Sequence, residues 1–590
     1  MKWLRRAATR LLFSARSLAL LRSRFRASEL WFIVLAIGVG AAAGLLTVLQ
    51  SGISHGLQSI LFGFQETDRL SALQVVPRSS LIWLPIGGLL LGAFIWALDR
   101  WRKRALVDVV EANALYGGQL SLRDSFIVCL QTVISNGFGA SVGLEAAYAQ
   151  GGGAVASTLG QRLKLRRQDI RTLVGAGAGA AIGAAFGAPL TGAFYAFEIV
   201  IGSYAPSMIA PVAAAALASE LTARALGAVP YSIEIAVLTP PAAVDYLLYG
   251  ILGALCAVFG ILIMRLTALT ERKLRMIQLP AWLRPAFGGI LLMGFAFVTP
   301  QTLSSGHGAL HLDLVAGFSV AALVALLLLK TGASIISLGF GFRGGLFFAS
   351  LFLGSLLGQI YARFIAFTGL PFDLQPENAA LVGMGALAVA VVGGPLTMSF
   401  LVLETTRDFG VAAATLAASL IASVVVRERF GYSFSTWRLH LRGETIRSAR
   451  DVGWVRSLTA GRMMRPDMQT ISDKTGIGEF RRRFPLGSTT RVILVDDAQH
   501  YAGIVQTANA YVEGRNAEDP ISALAASQDV TLTPETNIEQ IMHIFERTET
   551  EELAVVDAER NVLGLLAEAY VSRRYAKELE KMQEGLFGKG

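Results

Sequence analysis

Three glutamates stand nearly alone in long apolar stretches: Glu145, Glu198 and Glu404. A carboxylate is costly to keep in such surroundings, so each is a functional candidate by default. A lone acid there can carry a proton, compete with an anion, or cap a helix. Spacing separates the three. Glu198 follows Gly187-Ala-Pro-Leu-Thr191 and Glu404 follows Gly393-Gly-Pro-Leu-Thr397, each nine residues after its Pro. Acids at matched positions more often brace equivalent helices. Glu145 lies in Ser141-Val-Gly-Leu-Glu-Ala-Ala147, and the matching stretch Gly345-Leu-Phe347 carries Phe347 in its place. Symmetry therefore does not require this acid. The Gly permits close backbone approach where the chain enters a helix, and a helix N-terminus presents free N–H groups and positive partial charge. A carboxylate and an anion would compete for that place.

The elements that position these acids are apolar. Of 590 residues, 53% are hydrophobic and 16% charged, against about 25% charged in a soluble chain. This excludes a plain cytosolic enzyme, a disordered chain and a fibrous one. Cys129 and Cys256 sit in apolar runs and form neither a disulfide scaffold nor a thiolate zinc site. Residues 1–28 are basic, and the net charge is +9. The run is expected to be a cytoplasmic flank held by the positive-inside rule rather than a nucleic-acid binder. No acid, Lys or Arg occurs from Leu30 to Gln65, enough for a membrane span. Apolar segments with Gly- and Pro-marked breaks continue to Arg427, and many are too short to span as straight helices. Broken or tilted helices are tolerated where protein or a water-filled cavity covers the freed backbone, and they point to a solute pathway.

The chain repeats itself twice. Val174-Gly-Ala-Gly-Ala178 precedes the first Pro-Leu-Thr segment, and Val382-Gly-Met-Gly-Ala386 the second. Two homologous membrane halves place a solute site where they meet. After Arg442 charge becomes frequent and apolar runs shorten to strand length: Thr490–Val495, Tyr501–Val505, Glu552–Val556 and Val562–Leu566. Helix-like stretches Ile477–Phe484 and Ile538–Phe545 lie between them. Thr470, Asp496 and Gly503 recur 61 residues later as Thr531, Asp557 and Gly564. The expected architecture is therefore mainly α: a polytopic membrane protein of two homologous halves over 29–442. A soluble α/β tandem tail follows over 443–590, with modules near 460–515 and 521–575.

These residues resemble the CLC chloride channels and proton-coupled chloride transporters. Ser135-Asn-Gly-Phe-Gly-Ala-Ser-Val-Gly-Leu-Glu-Ala-Ala147 is similar to the family's Gly-x-Glu-Gly-Pro region. Gly344-Gly-Leu-Phe-Phe-Ala349 is similar to its Gly-x-Phe-x-Pro region, Gly187–Glu198 to its Asn-Ala-Pro-Leu-Ala-Gly helix pair, and the tail to paired CBS modules. The resemblance implies a multi-pass homodimer in the plasma or inner membrane, with cytoplasmic termini and one pathway per subunit for chloride or another small anion. It implies Glu145 as outer gate, with the anion held by backbone amides of Gly143, Leu144, Ala146, Gly345, Leu346, Phe347 and Phe348. No cofactor is expected. The tail modules would hold an adenine nucleotide only with difficulty, because the Asp used for ribose in such modules falls at Asn509 and Tyr570.

This chain departs from the family pattern. The anion-binding serine of the first motif falls at Arg104 in Lys103-Arg-Ala-Leu-Val107, or at Leu106 in a shifted register. The central Tyr falls at Ser435, with Tyr432 nearby. The exchangers' inner proton-transfer Glu falls at Ile199, next to Glu198, which an ideal helix would turn away by about 100°. The simplest expectation is passive anion flow, gated by voltage or pH through Glu145. The alternative is proton-coupled exchange, with Glu198 or water on the inner route. A CBS-regulated divalent-cation transporter would want several converging carboxylates, and a membrane-embedded enzyme would want a catalytic His/Asp or Ser/His set that the apolar segments lack. His307 and His311 are four apart, but Ser304–Asp313 reads as a loop, and no metal site is expected.

Overall fold

The structure, a computed structural model, describes residues 28–575 except 66, 102–105, 230, 232, 234–239, 278, 370, 373 and 442–457. It divides into two compact units, Met1–Asp451 and Val452–Gly590.

The first unit is helical. Its first half runs α1 (Glu29–Phe62), α2 (Trp83–Trp101), α3 (Val109–Leu115), α4 (Leu122–Gly137), α5 (Glu145–Arg162), α6 (Arg167–Phe186), α7 (Pro189–Tyr195) with a π turn over Ala196–Ile201, and α8 (Pro206–Ala225). The second half runs α9 (Ala243–Met276), α10 (Arg284–Val298), α11 (His307–Ala316), α12 (Val320–Gly339), α13 (Phe347–Phe367), α14 (Pro376–Val392), α15 (Pro395–Thr406), α16 (Phe409–Arg429) and α17 (Phe434–His440). Each half begins with a helix of 34 residues. Among the described residues, seven helical segments are long and apolar enough to cross a membrane, and several shorter apolar helices lie among them.

Glycine lets equivalent helices pack backbone to backbone in both halves. A Cβ at Gly152 of α5 would lie 2.1 Å from the Gly177 carbonyl oxygen, and one at Gly354 of α13 2.2 Å from that of Gly383. The halves also stop their helices alike. After α4, Gly139 takes φ 88° while Ala140 N–H donates to Ser135 O; after α12, Gly341 takes φ 98° while Phe342 N–H donates to Ser337 O. This left-handed C-terminal turn suits glycine, and it turns the chain toward the starts of α5 and α13.

One expectation fails here. Ser304–Asp313 is not simply a loop: α11 begins at His307, after Gly306 at φ 103°. Burial of Ala309 and Leu310 on one face, with Asp313 accepting from Gln359 Nε2 at 2.8 Å, fixes the helix.

The second unit carries the 61-residue repeat in its helix and hairpin, while the strand Thr470–Ser472 has only an isolated bridge, Leu532 to Val555, as counterpart among the described residues. In the first module, β1 (Thr470–Ser472) pairs in parallel with β2 (Arg491–Val495), which pairs antiparallel with β3 (Tyr501–Gln506); α18 (Ile477–Arg483) packs beside them. The second has α19 (Ile538–Thr548) and the antiparallel pair β4 (Glu552–Val556) and β5 (Val562–Ala567). Both hairpins carry a register shift at the same place, Leu494/Val495 and Val555/Val556. Equivalent residues of the two modules also meet: Ile493, Tyr501 and Ile504 pack with Ala554, Val562 and Leu565 in one apolar cluster.

Candidate functional site

The two halves grip each other through reciprocal contacts. Gly143 and Gly345 form an isolated antiparallel bridge, with N–H to carbonyl distances of 3.0 and 3.2 Å. Ser135 Oγ accepts from Arg343 N–H and Ser337 Oγ accepts from Ser141 N–H, both at 2.9 Å. Such exchange between equivalent residues defines a local two-fold axis. The axis brings the starts of α5 and α13 together.

Glu145 is the first residue of α5, and its side chain is buried. Among the described residues, neither carboxylate oxygen receives a hydrogen bond from another residue. The carboxylate lies against Gly143: a Cβ there would sit 1.9 Å from Glu145 Oε2. Leu144 and Glu145 line a cavity of about 580 Å³ together with Tyr148, Arg69, Asn136, Ser304 and His307.

The amides expected to hold the anion divide into two groups. Those of Gly143 and Gly345 are corrected: each is consumed by the other's carbonyl. A backbone bridge at the axis satisfies both donors, so neither is left for a ligand. The amides of Leu144, Ala146, Leu346, Phe347 and Phe348 have no backbone acceptor among the described residues, as the first turns of α5 and α13 require. The rings of Phe347 and Phe348 pack with Phe186, and Phe348 stacks on His307 with centroids 3.5 Å apart.

Glu198 and Glu404 have a different geometry. Glu198 accepts from Leu396 N–H, Thr397 N–H and Thr397 Oγ at 3.1, 2.8 and 2.7 Å. Glu404 accepts from Leu190 N–H, Thr191 N–H and Thr191 Oγ at 2.9, 2.8 and 2.7 Å. Each acid thus caps the first turn of the short helix in the opposite half, satisfying donors left free beyond Pro189 and Pro395.

Glu198 and Ile199 are neighbours in the π turn over Ala196–Ile201. Both line a second cavity, of about 430 Å³, with Tyr432 and Ser435. Ser435 is thereby brought to Glu198 but not to the Glu145 cavity, with which this one shares no lining residue. Arg104 lies outside the described residues. Leu106, its alternative, lines a third cavity of about 360 Å³ with Arg284, Arg343 and Arg438.

Sequence reasoning missed Lys330, a lone cation after four leucines in α12 that is fully buried. An ionisable residue in an apolar helix was the available signal. It also missed Ser135 and Ser337, whose partners lie in the opposite half.

A helical fold of two interlocked halves, with a buried acid at the start of a helix beside the axis, defines a membrane transport protein. The family model described as voltage gated chloride channel matches residues 87–427, and a CBS domain model matches residues 521–576. The chain belongs to the voltage gated chloride channel family and carries a CBS domain in its tail. A Ralstonia nicotianae protein named as ClcB-like is 28% identical over 65% of this chain and 91% of its own length. The voltage-gated ClC-type chloride channel ClcB of Citrobacter koseri is 26% identical over 66% of this chain and 95% of its own. A slow cyanobacterial Cl−/H+ antiporter superposes with TM-score 0.61 at 22% identity, over 70% of this chain and 97% of its own. A eukaryotic CLC transporter superposes with TM-score 0.58 at 18% identity, over 93% of this chain and 98% of its own. At these identities the two superpositions speak for the fold alone.

Proposed function

We propose that this protein conducts chloride or another small anion across the membrane, as a homodimer with one pathway per subunit, and that Glu145 gates it. The observation that carries this reading is the Glu145 carboxylate: buried, on a cavity wall, and, among the described residues, unbonded to other residues and beside amides at the start of α5 that have no backbone acceptor. Those donors suit one negative charge, either the carboxylate or an anion. Protonation from the outer solution neutralises the carboxylate and leaves the place to the anion, so acid outside favours flow.

The flow is passive in this reading. At the inner proton-transfer position stands Ile199, which carries no proton, while both oxygens of Glu198 are engaged by three donors in a brace that Glu404 duplicates. One observation favours the second reading, proton-coupled exchange: Glu198 borders the cavity that Tyr432 and Ser435 also line. Purified protein in liposomes with a chloride gradient, clamped with valinomycin, distinguishes the two. Chloride efflux without proton movement supports passive flow. Uphill proton movement at a fixed ratio to chloride rejects it, and absence of chloride flux rejects both.

A further inference from the structure

Tyr231 stands between α8 and α9, in the connection from one half to the other, and its N–H donates to Phe186 O at 3.2 Å, at the end of α6. Three rings meet its own edge-on. Phe186, Phe348 and His307 lie with centroids at 6.4, 5.5 and 5.8 Å and interplanar angles of 86°, 89° and 88°. His307 is fixed in turn, with its Nδ1 2.6 Å from Ser305 Oγ. Edge-to-face packing of this kind is the favoured aromatic arrangement, and three such contacts set where the Tyr231 hydroxyl points. That hydroxyl is buried and, among the described residues, has no hydrogen-bond partner. Tyr231 borders the same cavity of about 580 Å³ as Glu145, whose two carboxylate oxygens are also buried and without a partner among the described residues. One cavity thus carries a donor without an acceptor and an acceptor without a donor. Buried polar groups are ordinarily paired, because an unmet one costs its full desolvation.

We propose that Tyr231 is the latch of the gate: its hydroxyl donates to the Glu145 carboxyl group once that group has left Gly143 to the anion. The inference rests on the transport reading above, in which Glu145 is the gate. While charged, the carboxylate is held by the positive end of α5. Once protonated it loses that attraction, and its carbonyl oxygen takes a hydrogen bond from a neutral donor. The Tyr231 hydroxyl is such a donor, committed to no other group and mounted on rings that do not have to move. Tyr231 is therefore a positioning residue that acts on the anion through Glu145. The other titratable or charged groups on the cavity are His55, Asp68, Arg69, Tyr148, His307 and His311. Tyr195 is within electrostatic reach of Glu145, and Lys330 lies behind the cavity wall, its Nζ donating to Ser304 O at 2.8 Å. All of these are kept when Tyr231 becomes Phe, so that change isolates one hydroxyl.

The test is chloride efflux from liposomes against external pH, for full-length wild type, Tyr231→Phe, Glu145→Ala and the double variant. Losing one neutral hydrogen bond shifts the open-to-closed ratio about fivefold. The latch favours the protonated, open gate, so Tyr231→Phe should need more acid, with half-maximal efflux about 0.7 pH unit lower. In the Glu145→Ala background the same change should do nothing. An unmoved half-maximal pH in Tyr231→Phe overturns the proposal. An equal loss of flux with and without Glu145 also overturns it, because the hydroxyl then serves the anion or the fold. If Tyr231→Phe does not fold, a crystal structure of Glu145→Gln with chloride gives the answer, since the amide mimics the protonated acid. A substituted side chain turned to the Tyr231 hydroxyl supports the latch, and one left over Gly143 rejects it. Wild-type protein that moves no chloride, or Glu145→Ala with wild-type pH dependence, sinks the transport reading itself. A flattened Glu145→Ala beside an indifferent Tyr231→Phe sinks only this inference.

Discussion

Gly143 and Gly345, 202 residues apart in sequence, donate their N–H groups to each other's carbonyls at 3.0 and 3.2 Å. This pair fixes where the halves meet, and Glu145 hangs over it. The carboxylate occupies the space a Gly143 side chain would take. Gly143→Ala is therefore expected to displace the carboxylate while sparing the bridge. Chloride efflux should then lose pH dependence much as it does when the acid is removed. Wild-type pH dependence in Gly143→Ala would contradict this placement.

Replacing Glu145 with Gln removes the titratable group and keeps the shape. Flux should persist, and the rise on external acidification should flatten. The measurement is chloride efflux from liposomes as external pH is varied. A Gln variant with flux intact and unchanged pH dependence removes Glu145 from the gate.

Glu404→Ala strips Leu190 N–H, Thr191 N–H and Thr191 Oγ of their acceptor. Thr191 is buried, and leaving its two donors unpaired costs about 1–3 kcal/mol each at most, so thermal stability in detergent should fall clearly. Glu198→Ala should destabilise comparably, because its partners are the same atoms of the other half. Glu198→Gln should leave the pH dependence of chloride flux in place. A stable Glu198→Gln that abolishes measurable proton coupling would instead make this acid the inner proton carrier.

Ser435 lines the Glu198 cavity and not the Glu145 cavity. Anion binding near Glu145 should therefore draw nothing from the Ser435 hydroxyl. Calorimetry should find chloride affinity in Ser435→Ala within about twofold of wild type, less than the worth of one lost hydrogen bond. Tight chloride binding abolished by that single change would show that a hydroxyl holds the ion.

In the tail, Asp496 Oδ1 accepts from Ala498 N–H at 2.9 Å and His500 N–H at 2.8 Å, and Asp557 Oδ1 repeats the turn with Glu559 and Asn561 N–H. Hydrogen bonding, from His500 N–H first for Asp496 and from the Asn561 side chain first for Asp557, holds both carboxyls below their usual range. A carboxyl depressed in the folded state stabilises it above its unfolded pKa, and this is lost as pH falls through the folded value. Amide exchange in the full chain should thus show protection of these turns at pH 6 and its loss below about pH 4. Asp496→Asn should abolish the pH step at the first turn alone. A step that survives that change would contradict the assignment.

The membrane class, the two halves, the tandem tail and the isolation of Glu145 are legible in the residues alone, because apolar run length and repeats are local properties of the chain. Strands β2 to β5 and helices α18 and α19 fall within a few residues of their expected positions, since alternation and helical periodicity are read within one segment. The partners of Glu198 and Glu404 were not legible. Each acid stands beside its own Pro-Leu-Thr segment in sequence but caps the other half's, and only tertiary structure says which helix start a carboxylate reaches. The same holds for the Gly143 and Gly345 amides, which resemble free ligand donors until the axis pairs them. The π turn over Ala196–Ile201 is likewise a backbone irregularity that no residue spacing announces. Lys330 was visible as a lone charge, but its carbonyl cradle comes from a turn some 26 residues earlier in the chain. Long-range partners of buried polar groups are set by how helices pack, and packing is a property of the whole fold.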